Sequence, residues 1–244
     1  VNRNRVYFIS DVHLGVKGEV RDSRLQEDSL IGFLRSIRDD AEVLYIVGDL
    51  FDFWFEYRSV VPSCGGRVLF ELHGLVESGV RVVYLPGNHD VWLGPYLERE
   101  VGVELPGGPL TVHHQGLTIF LAHGDEFRKD WKFRFSRLVL KSAFCIGLFR
   151  LLHPDIGAWL ARSTSQISEY RAQTQTSRNR NVLMSGAREQ IRKGADVVIC
   201  GHYHYLLQEP VGHGQLIVLG DWVSQDSFAV LENGVIALKQ WEPS

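Results

Sequence analysis

Val43-Leu44-Tyr45-Ile46-Val47-Gly48-Asp49-Leu50-Phe51-Asp52 is the stretch on which the fold turns. An apolar run rich in β-formers ends abruptly in glycine and aspartate. That is the pattern of a buried parallel strand delivering a carboxylate to the C-terminal edge of a sheet, where α/β proteins bind ligands. A lone Asp after Gly is most often a turn residue, so the weight of Asp49 comes from its company. Four further apolar runs end in the same way: in Ser10-Asp11-Val12-His13, Pro86-Gly87-Asn88-His89-Asp90, Ala122-His123-Gly124-Asp125 and Gly201-His202-Tyr203-His204. Taken singly, His13 reads as a cap or surface histidine, Asn88 as a turn residue, and His123 and His202 as satisfied core histidines. Independent accidents would not put all of them at the same end of successive strands.

Working outward, Val6-Tyr7-Phe8-Ile9 is a first strand and Val80 to Leu85 a third. Apolar spacing predicts helices over 24–38, near 67–78 and at 92–101. This β-α-β-α-β alternation implies a sheet with right-handed crossovers. Strands near 109–114 and 117–122 flank Gln115-Gly116 as a hairpin. Strands return at Val197 to Cys200 and Leu216 to Leu219, and 227–232 and 235–241 flank the hairpin turn Asn233-Gly234. Residues 128–193 lose the strand rhythm and read as helices with polar joins. The expected organisation is a core of 1–127 and 194–244 with 128–193 inserted as a helical lid.

Bulk properties narrow the function classes. A hydrophobic content of 45% excludes disorder, and a net charge of −3 argues against a generic polyanion binder. The charge is uneven: 128–193 holds 14 Lys/Arg against 4 Asp/Glu, so the rest of the chain carries −13. The acidic part suits cations and the basic segment an anionic substrate. Cys64, Cys145 and Cys200 show no zinc-type spacing, and their odd number favours a reducing compartment. The opening residues Asn2-Arg3-Asn4-Arg5 run straight into a strand, without a cleavable apolar segment or a run long enough to span a bilayer. A cytoplasmic location is expected. His73, His113, His114, His153 and His213 lack the strand-end setting and read as structural or surface groups.

Imidazole, carboxylate and amide oxygen together suit manganese, iron, zinc or cobalt. An x between paired ligands, as in Asp11-x-His13 and His202-x-His204, would let both point to one side of an extended backbone. The ordered set Asp11-x-His13, Gly48-Asp49-x-x-Asp52, Gly87-Asn88-His89-Asp90, His123-Gly124-Asp125 and Gly201-His202-x-His204 resembles the calcineurin-like metallophosphoesterase superfamily. The resemblance implies an α/β fold, a four-layer α/β/β/α sandwich, with a dinuclear metal site at the strand ends. It implies that Asp11, His13, Asp49 and His204 hold one divalent ion and that Asn88, His123 and His202 hold the other. Asp49 would bridge the two, and His89 would be the near-site acid or a substrate-binding imidazole, oriented by Asp90. Two such ions held ~3.5–4 Å apart activate water and clamp a phosphoryl oxygen for in-line attack.

The insertion narrows the substrate. Arg134, Arg137, Lys141 and Arg150 are interleaved with Phe133, Phe135, Leu138, Val139, Leu140, Phe144, Ile146, Leu148 and Phe149. A basic, apolar helical segment can be a buried lid or a membrane-surface element. Its position between His123 and His202 favours function. Such a lid over two metals suits a substrate with acyl chains and a diphosphate. With Phe8-Ile9-Ser10-Asp11-Val12-His13-Leu14 and Gly48-Asp49-Leu50-Phe51-Asp52-Phe53-Trp54, the chain is similar to the UDP-2,3-diacylglucosamine hydrolase family of lipid A biosynthesis. That family implies cleavage of the diphosphate to UMP and 2,3-diacylglucosamine 1-phosphate. It also implies manganese as the usual metal, with zinc or iron as alternatives, and a peripheral location on the inner membrane of a Gram-negative bacterium. Trp54 can stack on the nucleobase or pack in the core, with the site preferred, and Arg162-Ser163-Thr164-Ser165 matches the family's substrate-contacting Arg-x-x-Ser through Arg162 and Ser165. The well-known branch has arginine at the position of His89 and Arg-Pro in place of Tyr205-Leu206, so this chain stands in a variant branch. A metallophosphoesterase of soluble nucleotides or sugar-nucleotide diphosphates is the alternative. The net acidic chain disfavours a nucleic-acid partner, and no protein partner is inferred.

Overall fold

Along β1 (Arg5–Ile9), Val6 and Phe8 face one way, Tyr7 and Ile9 the other, and all four are buried. A strand apolar on both faces needs a layer on each side. β2 (Ala41–Val47) and β3 (Arg81–Leu85) repeat the pattern. Val43, Tyr45, Val47, Val83 and Leu85 join Val6 and Phe8, whereas Leu44, Ile46, Val82 and Tyr84 join Tyr7 and Ile9. This is a computed structural model, describing residues 3–15, 22–128, 131–157, 159–160 and 176–242.

α1 (Ser23–Ser36) and α2 (Gly66–Glu77) connect the three parallel strands, close to the ranges the spacing predicts. Asp22 caps α1 by accepting from the Arg24 amide at 2.8 Å. Leu30, Phe33 and Leu34 of α1, with Val68, Leu72 and Leu75 of α2, cover the outer face of this sheet. Each such fully buried side chain contributes about 1.5–3 kcal/mol. The expected helix at 92–101 shrinks to a π-type turn, Leu97–Val101. Gly94-Pro95 interrupts its front half, because the residue before proline is driven out of the helical region.

A second sheet follows. It comprises β4 (Leu110–His114), β5 (Leu117–Leu121), β6 (Val197–Cys200), β7 (Leu206–Val211) and β8 (Gly214–Leu219), in the order β4-β5-β6-β8-β7. The hairpin β9 (Ser227–Glu232) and β10 (Val235–Gln240) returns to the first sheet, whose order is β10-β9-β1-β2-β3. Both sheets are mixed, and their inner faces meet through Phe8, Tyr45, Ile119, Leu121, Ile199, Ile217 and Leu219. β7 went unpredicted because Pro210 interrupts it. As an edge strand it tolerates the missing ladder donor.

Between β5 and β6 the described residues are helical: α3 (Trp131–Leu140), α4 (Ala143–Phe149) and α5 (Thr176–Arg192). α5 differs from the rest of the expected lid. Leu183, Ala187 and Ile191, spaced four apart, pack on Val198, Cys200, Leu216 and Val218 and form the fourth layer of the sandwich. The lid range 128–193 is therefore too long at its C-terminal end. α3 and α4 dock elsewhere: Phe149 packs on Phe53, Phe55 and Trp92, with ring centroids 4.7–5.9 Å apart, and Trp92 Nε1 donates to the Leu140 carbonyl oxygen at 2.8 Å. Among the described residues no helix is long and apolar enough to cross a membrane. The three cysteines are free thiols.

Candidate metal centre

The loops leaving β1, β2, β3, β5 and β6 converge at one edge and are lashed together by backbone bonds. The amides of Val12 and His13 donate to the Asp49 carbonyl oxygen at 2.8 and 3.0 Å, and Gly201 donates to that of His123 at 2.9 Å. The expectation of extended backbone at the paired residues is corrected here. Asp11, His13, Asp49, His202 and His204 all adopt left-handed φ of 53–69°. This conformation costs an L-residue roughly 1–2 kcal/mol. Strain concentrated at five strand-end residues marks a site that the surrounding fold over-determines. Gly87 is required for a different reason: a Cβ there would collide with the Asp49 carboxylate.

Three groups of side chains bring donor atoms within 4.8 Å of one another: Asp11, His13 and His204; His13, Asp49 and His89; Asp11, Asp49 and His123. Asp49 belongs to two of them. Its Oδ1 accepts from the His89 amide at 2.9 Å, while its Oδ2 lies 3.1 Å from His123 Nε2 and 4.0 Å from His13 Nε2. His123 Nδ1 meets the Val47 carbonyl oxygen at 3.0 Å, which fixes the tautomer that turns Nε2 inward. Asn88 Oδ1 lies 3.0 Å from that Nε2, and the His202 ring sits edge-on to His123 with centroids 5.1 Å apart. His204 Nε2 is 3.4 Å from both His13 Nε2 and Asp11 Oδ1. All seven residues singled out as ligands thus gather in one place.

The charge state shows what the cluster needs. Burial alone would raise Asp11 and Asp49, yet the surrounding imidazoles hold Asp11 down at about 2 and Asp49 well below the usual carboxylate range. Burial would lower His89, but Asp49 and Asp52 outweigh it and push it up to about 9. His202, buried beside His123, falls to about 3. In the bare protein, protonated imidazoles supply the positive charge that two buried carboxylates demand. Asp11 Oδ1 and His13 Nδ1 are buried and take part in no hydrogen bond. An orphaned carboxylate oxygen facing two imidazole nitrogens is costly unless a cation takes it up, so the donor set fits divalent metal.

Two expected roles are corrected. Asp90 does not orient His89: it accepts from the amides of Gly87 (2.7 Å) and Asp49 (3.3 Å) and from the Tyr84 hydroxyl, tying β3 to the Asp49 loop. His89 Nδ1 instead lies 3.2 Å from Asp52 Oδ1. The spacing Gly48-Asp49-x-x-Asp52 carried that signal. Trp54 cannot stack on a base, because it is 0% exposed, packs on Phe51 and donates to Glu56 at 3.1 Å. Arg162 and Ser165 lie outside the described residues. Asp221, whose Oδ2 is 3.7 Å from His204 Nδ1, was not anticipated. Gly220-Asp221 ends β8 as Gly48-Asp49 ends β2, and that repetition was the signal available.

The fold and this buried His/Asp cluster define a metal-dependent phosphoesterase, and the chain belongs to the calcineurin-like phosphoesterase family, whose model matches residues 4–206. Among curated proteins it is 31% identical to the UDP-2,3-diacylglucosamine hydrolase of Porphyromonas gingivalis, over 98% of each chain. It is also 31% identical to the protein of that name from Neisseria meningitidis serogroup B, over 88% of this chain and 89% of the relative. Among solved structures, an archaeal phosphodiesterase aligns over 96% of this chain and 98% of its own, at 15% identity and a TM-score of 0.47.

Proposed function

We propose that the protein hydrolyses the diphosphate linkage of UDP-2,3-diacylglucosamine, releasing UMP and 2,3-diacylglucosamine 1-phosphate. Asp11, His13, Asp49 and His204 hold one divalent ion, and Asn88, His123 and His202 hold the other, with Asp49 shared. Manganese is the first choice for both. Ions bound there supply Lewis-acid activation of water and of the phosphoryl group. His89, held toward the site by Asp52, donates a proton to the leaving oxygen. Arg162 and Ser165 bind the substrate.

The observation that carries the lipid assignment is the apolar surface of the inserted helices beside this site. Trp131, Phe135, Leu138, Phe144, Leu148 and Leu151 are all exposed, while Phe149 anchors the segment on the loop that follows Asp52. A cavity of about 450 Å³ lies where Ile146, Lys141 and Arg150 of the insertion meet Phe55, Trp92 and Leu105. Its apolar walls suit acyl chains, while Lys141 and Arg150 share the lining with Glu56 and Glu98. The names of the relatives support the same substrate. The lid comprises the insertion ahead of α5. It docks the protein peripherally on the cytoplasmic face of the inner membrane of a Gram-negative bacterium. A soluble nucleotide or sugar-nucleotide diphosphate is the second reading, favoured by His89 standing where the well-known branch has arginine.

Manganese-loaded protein presented with UDP-2,3-diacylglucosamine, its deacylated counterpart and a nitrophenyl diester tests the assignment. Strong preference for the acylated substrate is expected. Equal turnover of acylated and deacylated forms would sink the lipid reading and leave the soluble one.

A further inference from the structure

Asp221 follows Gly220 at the end of β8 and is 4% exposed. Its two carboxylate oxygens share the Ser224 hydroxyl, 3.0 Å from Oδ1 and 3.3 Å from Oδ2, and otherwise differ in their partners. Oδ1 accepts from the amides of Val223 (3.0 Å) and Ser224 (2.7 Å) and from the Ser224 hydroxyl (3.0 Å), which closes the turn between β8 and β9. Oδ2 lies 3.7 Å from His204 Nδ1 and accepts from Gln225 Nε2 at 3.1 Å. The same Gln225 nitrogen donates to the His204 carbonyl oxygen at 2.9 Å, and the Trp222 amide donates to that of Asp11 at 3.1 Å. Trp222 is fully buried, packed on Phe33.

One turn, 220–226, thus grips the backbones of two members of a single donor group, Asp11 and His204. It also faces the His204 ring from the side opposite Asp11 and His13. Both backbone amides that close the turn go to Oδ1. Nothing in turn geometry requires Oδ2 to be aimed at an imidazole whose own residue is held at a φ of 53°.

We propose that Asp221 is a positioning residue of the metal centre: its Oδ2 sets the ring orientation and tautomer of His204, and Gln225 locks the carboxylate in place. Nδ1–H then faces Asp221 and the Nε2 lone pair faces Asp11 and His13. At 3.7 Å the contact is electrostatic rather than a hydrogen bond. A carboxylate behind a ligating imidazole orients the ring, and loss of such a partner typically costs 10–100-fold in metal affinity. The proposal rests on His204 being a ligand.

Calorimetric titration of manganese into metal-stripped protein tests it, alongside thermal melting of the metal-free form. Asp221→Asn is expected to weaken one of two manganese equivalents by roughly 10–100-fold, leaving the other unchanged. Gln225→Ala is expected to weaken the same equivalent by less. An unchanged isotherm in Asp221→Asn, or equal weakening of both equivalents, overturns the proposal. Should Asp221→Asn fail to fold, Gln225→Ala decides: one weakened equivalent supports the role and an unchanged isotherm overturns it. His204→Ala separates the premises. If it leaves both equivalents intact, the ligand assignment falls and Asp221 with it; if it abolishes one while Asp221→Asn does nothing, only the role of Asp221 falls.

Discussion

The strand-end loops and the inserted helices α3 and α4 break the same rule in opposite directions. At the strand ends, Asp11, Asp49, His13 and His123 are buried, with carboxylates held ionised in the protein interior. In the insertion, Phe144 and Leu151 are each 82% exposed, among several large apolar neighbours. Buried charge and exposed greasy surface are each unfavourable for the isolated chain. Under the proposed function each is offset by a ligand: cations in the first region, an acylated substrate or membrane surface in the second. The two regions meet at Phe149, packed on Phe53 and Phe55 a few residues beyond Asp52.

The comparison breaks first at Asp49. Asp49→Ala is expected to lose both ions and essentially all turnover, with elemental analysis as the readout. Retention of full metal content would show that the carboxylate is not shared. Next comes His89. His89→Ala should lower the rate by roughly 10²–10⁴ while keeping both ions, and Asp52→Asn should show a smaller loss in the same direction. If His89→Ala loses metal instead, the grouping of His89 with His13 and Asp49 reflects ligation and the acid role is wrong.

Trp54 sharpens the line between core and site. Trp54→Ala should cost about 3–5 kcal/mol in urea unfolding, with unchanged KM for soluble uridine substrates. A raised KM without loss of stability would return Trp54 to the binding surface. The smallest stability effect is expected in the insertion. Phe144→Ser and Leu151→Ser should each stay within about 0.5 kcal/mol of the parent yet lower turnover of acylated substrate in vesicles by about tenfold, corresponding to about 1.4 kcal/mol. Loss on the deacylated substrate as well would assign these side chains to folding.

Much of this was legible in the sequence because buried parallel strands announce themselves as apolar runs, and their ends deliver ligands to one edge. That rule marks the five strand-end blocks, and the resemblance to the metallophosphoesterases implies Asp11, His13, Asp49, Asn88, His123, His202 and His204 among them as the ligands. What escaped depended on which neighbour a side chain turns toward. Asp52 and Asp90 are chemically alike, and only the folded loops show that Asp52 meets His89 while Asp90 ties down three backbone amides and Tyr84. Trp54 sits in an aromatic loop beside the site, and nothing local says that its ring points inward. α5 continues the helical texture of 128–193, and only its packing shows that Leu183, Ala187 and Ile191 form a face on the sheet. Left-handed backbone at five strand-end residues is only weakly signalled by their being Asp and His, types enriched at positive φ.

Anomalous diffraction from crystals soaked in manganese tests the central claim most directly. Two peaks are predicted on either side of the Asp49 carboxylate, one against Asp11, His13 and His204 and the other against Asn88, His123 and His202. A single peak, or peaks away from Asp49, would contradict the shared-carboxylate centre on which the proposed chemistry rests.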